Sequence, residues 1–308
     1  MANASLPQLQ RFFLTDAGLE TDLLFNHGID LPHFASITLL TNDAGIAALT
    51  DYYRGFLDLA RAKGTGFILE SATWRASPDW AQPLGFTPAE LDDLNRRAIT
   101  LLAGLRSDYA DVPVVVSGCT GPRGDGYDPG RIMGAAEAQD YHAHQLGVLA
   151  EAGVGMLSAI TMTNTPEAVG IANAAAALRL PVAISFTVET DGRLPAGDTL
   201  AEAVAAVDGA TGGYPAYYMI NCAHPAHFDA VLDADAGWTA RIGGLRANAS
   251  TLSHVELDAM TELDIGDIDD LALRHRALLD RFPHIRVVGG CCGTDLRHVG
   301  AMADACLR

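Results

Sequence analysis

Positive charge is scarce in this sequence. Lysine and arginine together number 20 against 38 aspartates and glutamates, a formal net charge of −18. A surface of that sign repels phosphate backbones, which argues against nucleic acid as a partner. Long apolar runs are absent too. No stretch approaches the ~20 residues that a membrane-spanning helix needs, so no membrane partner is expected. The opening residues, MANASLPQLQRFF, carry no basic segment followed by an apolar one, so no secretory signal is expected. Cysteine is sparse, with five in 308 residues: Cys119, Cys222, Cys291, Cys292 and Cys306. An odd number with two adjacent is a poor disulfide framework and fits reduced thiols in a cytoplasm. Linkers, low-complexity tracts and breaks in composition are also lacking, so residues 1–308 read as one domain.

What the sequence does have is a repeated alternation of short apolar runs and longer helical stretches. The apolar runs fall at 12–15, 67–70, 114–117, 154–157, 182–186, 216–221, 241–245 and 285–290. Helical stretches follow near 44–62, 88–109, 134–152, 165–179, 199–208, 224–234, 267–281 and 294–306. Thr87-Pro88-Ala89-Glu90 and Thr199-Leu200-Ala201-Glu202 have the form of capping boxes, and Thr165-Pro166 marks another start. The apolar runs are continuous instead of alternating, as in parallel strands buried on both faces. Such α/β alternation suits either an open doubly wound sheet or a closed barrel. Eight units in about 300 residues favour the (β/α)₈ TIM barrel. Two long loops, 16–43 and 246–266, both follow strands and therefore lie on the catalytic face, and loops of that length are usually functional.

Cys222 ends the sixth apolar run, in MINCAHP, and Cys291 and Cys292 end the eighth, in VVGGCCGTD. In a parallel barrel both strand ends open on the same face, two strands apart, so three thiols 69 and 70 residues apart in sequence can converge. Glycines around the Cys-Cys pair permit a turn that lets both sulfurs point one way. Three thiolates with an open fourth position describe a catalytic zinc site, and soft ligands select zinc over magnesium or calcium. An open zinc position takes a substrate thiol and lowers its pKa, which implies attack by that sulfur on an electrophilic carbon. No separate protein base is expected. Cys119 and Cys306 read as packing residues, and His224 and His227 as solvated or capping groups beside Cys222. His142 and His144, at i and i+2, do not share a helix face.

These residues resemble the homocysteine S-methyltransferase family. The resemblance is carried by TDAGLETDLL (15–24), SGCTGPRG (117–124), INC (220–222) and GGCCGTD (289–295), and spans essentially the whole chain. It implies a (β/α)₈ barrel that moves a methyl group to the zinc-bound thiolate of homocysteine, giving methionine. The implied partners are a small-molecule thiol acceptor and a methyl donor such as S-methylmethionine or S-adenosylmethionine. Relatives that use cobalamin add folate and cobalamin domains, for which this chain has no room, so direct transfer is implied. Cys222, Cys291 and Cys292 match the zinc ligands, and Asp16 matches an aspartate that faces the amino group of homocysteine. Gly18 and Glu20 share that loop, where Glu20 either contacts substrate or caps the following segment. Asn248 matches a Pro-Asn position or is a polar loop residue, and Thr73 and Trp74 either shape the donor pocket or pack.

The chain departs from the family pattern at two places. Asp-Ala-Gly replaces the usual Asp-Gly-Gly or Asp-Gly-Ala, a minor change. At the end of the fourth strand, Ala159-Ile160-Thr161 stands where a glutamate followed by Thr is expected, the glutamate holding the substrate amino group. Ile160 cannot accept a hydrogen bond from an ammonium, while Thr161 keeps the family's threonine. Glu189, after the fifth strand, is either a substitute carboxylate or an ordinary loop acid. Three readings therefore stand: homocysteine methylation, the same chemistry on another small thiol or selenol, and a zinc-binding barrel without catalysis.

Overall fold

The computed structural model describes residues 6–307. Eight strands form a closed barrel in sequence order: β1 Phe13–Leu14, β2 Gly66–Glu70, β3 Val114–Thr120, β4 Met156–Met162, β5 Val182–Phe186, β6 Tyr217–Asn221, β7 Ile242–Ala247 and β8 Val287–Gly290. All neighbours run parallel, and β1 closes the ring by pairing Phe13 with both Gly66 and Val287. The helices after each strand are α1 Asp43–Lys63, α2 Pro88–Asp108, α3 Ala135–Glu151, α4 Thr165–Leu178, α5 Leu200–Thr211, α6 Pro225–Phe228, α7 Ile268–Arg281 and α8 Leu296–Cys306. Among the described residues, no helix is long and apolar enough to cross a membrane.

The continuous apolar runs are explained by burial on both faces. Phe13, Ile68, Val115, Met156, Ala183, Tyr217, Met219 and Val287 fill the barrel interior. Their neighbours Leu14, Phe67, Leu69, Val116, Leu157, Ile184, Leu245 and Val288 pack outward against the helices. The two-residue period of a strand thus serves two cores at once. Above the apolar layer the inward positions turn polar: Glu70, Ser117, Ser158, Ser185, Asn221 and Arg246 are all buried. These polar residues form the floor of the site.

Both expected capping boxes form, with Thr87 accepting from the Glu90 amide and Thr199 from the Glu202 amide. Several boundaries differ from the sequence reading; β3, for example, runs to Thr120 and not 117. The fourth strand runs to Met162, not 157, and ends in a register shift with Thr161 at φ 67°. The α4 cap is Asn164, one residue before the expected Thr165. The stretch 224–234 holds only the single turn α6 and a 3₁₀ turn over Asp229–Val231, where Asp233 caps the Asp235 amide in a local turn. Aspartate side chains that bond nearby amides compete with helix continuation.

Gly66 shows how tightly the bottom of the barrel is filled, because a Cβ there would be built into the Phe13 ring. Gly66→Ala is expected to destabilise the fold by about 1–3 kcal/mol, the usual cost of overpacking. Urea denaturation checks it, and an unchanged midpoint would mean that Phe13 has room to move.

Candidate metal and substrate site

The two cysteine-bearing strand ends are positioned by the strand between them. The Arg246 carbonyl accepts from the Cys222 amide at 3.2 Å, and the Ala247 carbonyl accepts from the Cys291 amide at 2.8 Å. One turn later the Ala249 amide donates to the Cys292 carbonyl at 3.1 Å. Consecutive backbone groups of β7 and its extension therefore fix all three cysteines. Gly18 also matters here, because any Cβ would collide with the Cys291 carbonyl.

Cys222 pays a conformational cost to reach the cluster. Its φ is 52°, in the left-handed region that a residue with a Cβ resists, at about 1–3 kcal/mol. Its carbonyl is held in that conformation by His254 Nε2 at 2.7 Å and Thr187 Oγ1 at 3.3 Å. Glu189 lies against the other ring nitrogen of His254, at 2.9 Å. The His254 ring stacks on Tyr127 at 3.9 Å between centroids. Tyr127 in turn points its hydroxyl at Cys292 Sγ (3.5 Å) and Cys222 Sγ (3.9 Å).

The sulfurs of Cys222, Cys291 and Cys292 lie within 4.8 Å of one another, with Cys222 and Cys292 at 3.7 Å. Tetrahedral thiolates at the usual zinc–sulfur length of ~2.3 Å are spaced at about 3.8 Å, so the donor set fits a zinc ion. All five cysteines are free thiols. Hydrogen bonds from Cys222 and Cys292 pull Cys291 well below the ordinary thiol range, while the same bonds and burial push Cys222 and Cys292 up. Asn221 adds a long N–H contact to Cys291 Sγ (3.8 Å) and ties it to β4 by bonding Thr161 Oγ1 at 2.8 Å.

The cluster forms one wall of a cavity of about 440 Å³, whose other walls include Asp16, Glu20, Glu70, Trp74, Ile160 and Arg246. Of the residues singled out in the sequence, Asp16, Gly18, Glu20 and Thr161 all line this cavity. Asn248 and Glu189 are not among the lining residues; Asn248 is buried with its amide on the Ala223 carbonyl. Trp74 lines the cavity and donates to the Ile160 carbonyl at 3.0 Å, whereas Thr73 is fully buried and bonds the Cys119 carbonyl. Cys119 is packed in the barrel interior and borders the cavity. His224 caps α6 and His227 bonds the Thr251 carbonyl.

Arg246, Glu70 and Tyr127 are among the cavity residues not picked out in the sequence. Arg246 follows the apolar run at 241–245 by one position, and Glu70 closes the run at 67–70. A charge ending an apolar strand is the available signal for both. Tyr127 sits in the β3–α3 loop and carries no such signal. Arg246 Nη2 lies 2.6 Å from Asp16 Oδ1, and Tyr52 donates to Asp16 Oδ2 at 3.3 Å. Burial nevertheless pushes Asp16 up to about 7. Burial works against the Arg246 charge, but Asp16 and Glu70 outweigh it and raise its pKa.

The profile of the homocysteine S-methyltransferase family matches residues 13–306. The chain belongs to that family. Homocysteine S-methyltransferase 2 of Arabidopsis thaliana is 24% identical over 227 residues, and selenocysteine Se-methyltransferase of Brassica oleracea var. italica is 25% identical over 220. These matches take in 65% and 63% of this chain and span 65% and 61% of the relatives' own lengths. The Escherichia coli homocysteine methyltransferase MmuM, in its metallated form, superposes with a TM-score of 0.76 at 22% identity, over 99% of both chains. That likeness establishes the fold.

The Asp16–Arg246 pair is buried, so removing one partner strands the other charge. Arg246→Met is expected to cost about 3–5 kcal/mol, with Asp16→Asn in the same chain restoring a large part. Chemical denaturation of the two single variants and the double gives the coupling. Additive losses would mean that the two charges do not depend on each other.

Proposed function

We propose that this protein is a zinc-dependent methyltransferase that moves a methyl group from a sulfonium donor to the sulfur of homocysteine, forming methionine. The donor is S-methylmethionine or S-adenosylmethionine. The observation that carries this reading is the convergence of three free thiols on one side of a cavity. Family membership supports the same reaction class. Its free cysteines support a reducing, cytoplasmic setting.

Cys222, Cys291 and Cys292 would hold the zinc, whose Lewis acidity lowers the pKa of an acceptor thiol so that it reacts at neutral pH. The acceptor thiol releases its proton to solvent, and the resulting thiolate attacks the methyl carbon. As the new S–CH₃ bond forms, the bond to the sulfonium breaks and its electron pair stays on the donor sulfur. The donor leaves as a neutral thioether, so the protein supplies no acid to the leaving group. Its contribution is positional. Asp16, Gly18, Glu20 and Thr161 would line the acceptor's path, and the Trp74 ring would flank the methyl donor. Tyr127 points its hydroxyl at Cys222 and Cys292, so it would border an entering thiol.

A second reading keeps this chemistry and changes the acceptor to another small thiol or a selenol. It is favoured by Ile160, an apolar side chain on the cavity wall, and by the Brassica relative named for selenocysteine. A panel of thiols and selenols assayed with either sulfonium separates the two.

Cys291→Ser and Cys292→Ser are each expected to lower bound zinc and to abolish methionine formation, read by metal analysis and by product chromatography. Full turnover in either variant would sink the proposal.

A further inference from the structure

Glu70 is a buried acid, 5% exposed, whose carboxylate is only half used. Its Oε1 accepts from Ser158 Oγ at 2.8 Å, and Ser158 shares a hydrogen bond with Ser117 at 2.7 Å. Its Oε2 is buried and has no hydrogen-bond partner. A buried charged oxygen left without a donor is costly, and such groups in folded proteins call for an explanation. Glu70 is also part of the cavity wall shared with the three cysteines. An unfilled acceptor in a substrate cavity is a place for a ligand donor.

The other acids nearby are placed differently. Asp16 has both oxygens bonded, by Arg246 and Tyr52. Glu20 also accepts from a serine, Ser36 at 2.7 Å, but neither of its oxygens is among the buried ones without a partner. Glu189 is engaged by His254 and is not among the residues lining the cavity. Ile160 removes the carboxylate that the family resemblance places on β4. Ser158, which holds Glu70, lies two residues before Ile160 on the same inward face of that strand.

We propose that Glu70 is the specificity-determining residue that receives the ammonium of the acceptor, a carboxylate supplied from β2 in place of the one absent from β4. This rests on the reading that the acceptor is a thiol amino acid. The proposed donors carry an α-ammonium as well, which the binding test removes by omitting the donor; the sulfonium centre itself has no N–H to donate and does not satisfy Glu70 Oε2. An ammonium does, with a charge-assisted hydrogen bond.

The test is binding without methyl donor. Cobalt(II)-substituted protein is titrated with homocysteine and with 4-sulfanylbutanoate, the same thiol acid lacking the amine, and the thiolate-to-cobalt absorption is followed. Homocysteine is expected to bind about 10- to 100-fold tighter, the worth of a hydrogen bond to a charged group. Glu70→Gln is expected to remove that preference while leaving 4-sulfanylbutanoate binding unchanged. Ile160→Glu in the Glu70→Gln chain is expected to restore part of it. Should Glu70→Gln fail to fold, Glu70→Asp, which withdraws the carboxylate by one methylene, is expected to cut the preference several-fold. A wild-type protein without the preference overturns the proposal. So does a variant that keeps it, or one that weakens both thiols alike. Preference that depends on Glu70 without methyl transfer from either sulfonium would leave Glu70's role standing and remove the proposed reaction. Homocysteine turnover indifferent to Glu70 would do the reverse.

Discussion

Everything at this site depends on β7 holding its two neighbours in register. Cys222 leaves β6 and the Cys291–Cys292 pair leaves β8, so β7 stands between them. The carbonyls of Arg246 and Ala247 and the amide of Ala249 bind one cysteine each. A slip of one residue in that register would turn Arg246 out of the barrel and move the cysteine amides off their acceptors. The same constraint accounts for the backbone of Cys222. A left-handed residue at a strand end persists only when its surroundings over-determine it. Here the Arg246 carbonyl fixes its amide while His254 and Thr187 fix its carbonyl.

The barrel interior is layered by polarity. Apolar side chains close the lower part, and a charged and hydroxylated layer sits above them, facing the cavity. Burying Asp16, Glu70 and Arg246 together is tolerable because the guanidinium offsets the two acids in a medium where unpaired charge is expensive. The balance is incomplete, since Arg246 pairs with Asp16 while Glu70 keeps a vacant oxygen. A substrate that brings its own positive charge completes it. On this account the cavity is electrostatically prepared for a cationic ligand group, although its apolar wall at Ile160 departs from the family pattern.

Much of the architecture was readable from the sequence because its signals are local. Continuous apolar runs marked doubly buried strands, and Thr87–Glu90 and Thr199–Glu202 marked helix starts. The cysteine cluster was readable because barrel topology alone brings the ends of strands six and eight to one face. What escaped depends on contacts made across the fold. The extension of β4 to Met162 is stabilised by pairing with β5 and by Asn221, neither visible in the segment itself. Glu189 reads as either a substitute carboxylate or an ordinary loop acid, because its contact with His254 joins residues 65 apart in sequence. Tyr127 and His254 come from separate loops and meet only through their stacked rings. Arg246 and Glu70 were visible as charges, but which of them would be neutralised was decided by Asp16, some 230 residues from Arg246.

X-ray absorption at the zinc edge tests the central claim most directly, because it counts sulfur neighbours without requiring turnover. Zinc-loaded protein is expected to show three sulfurs at about 2.3 Å and one lighter neighbour, rising to four sulfurs when homocysteine is added. Fewer than three sulfurs, or a sulfur count unmoved by saturating homocysteine, would contradict the account.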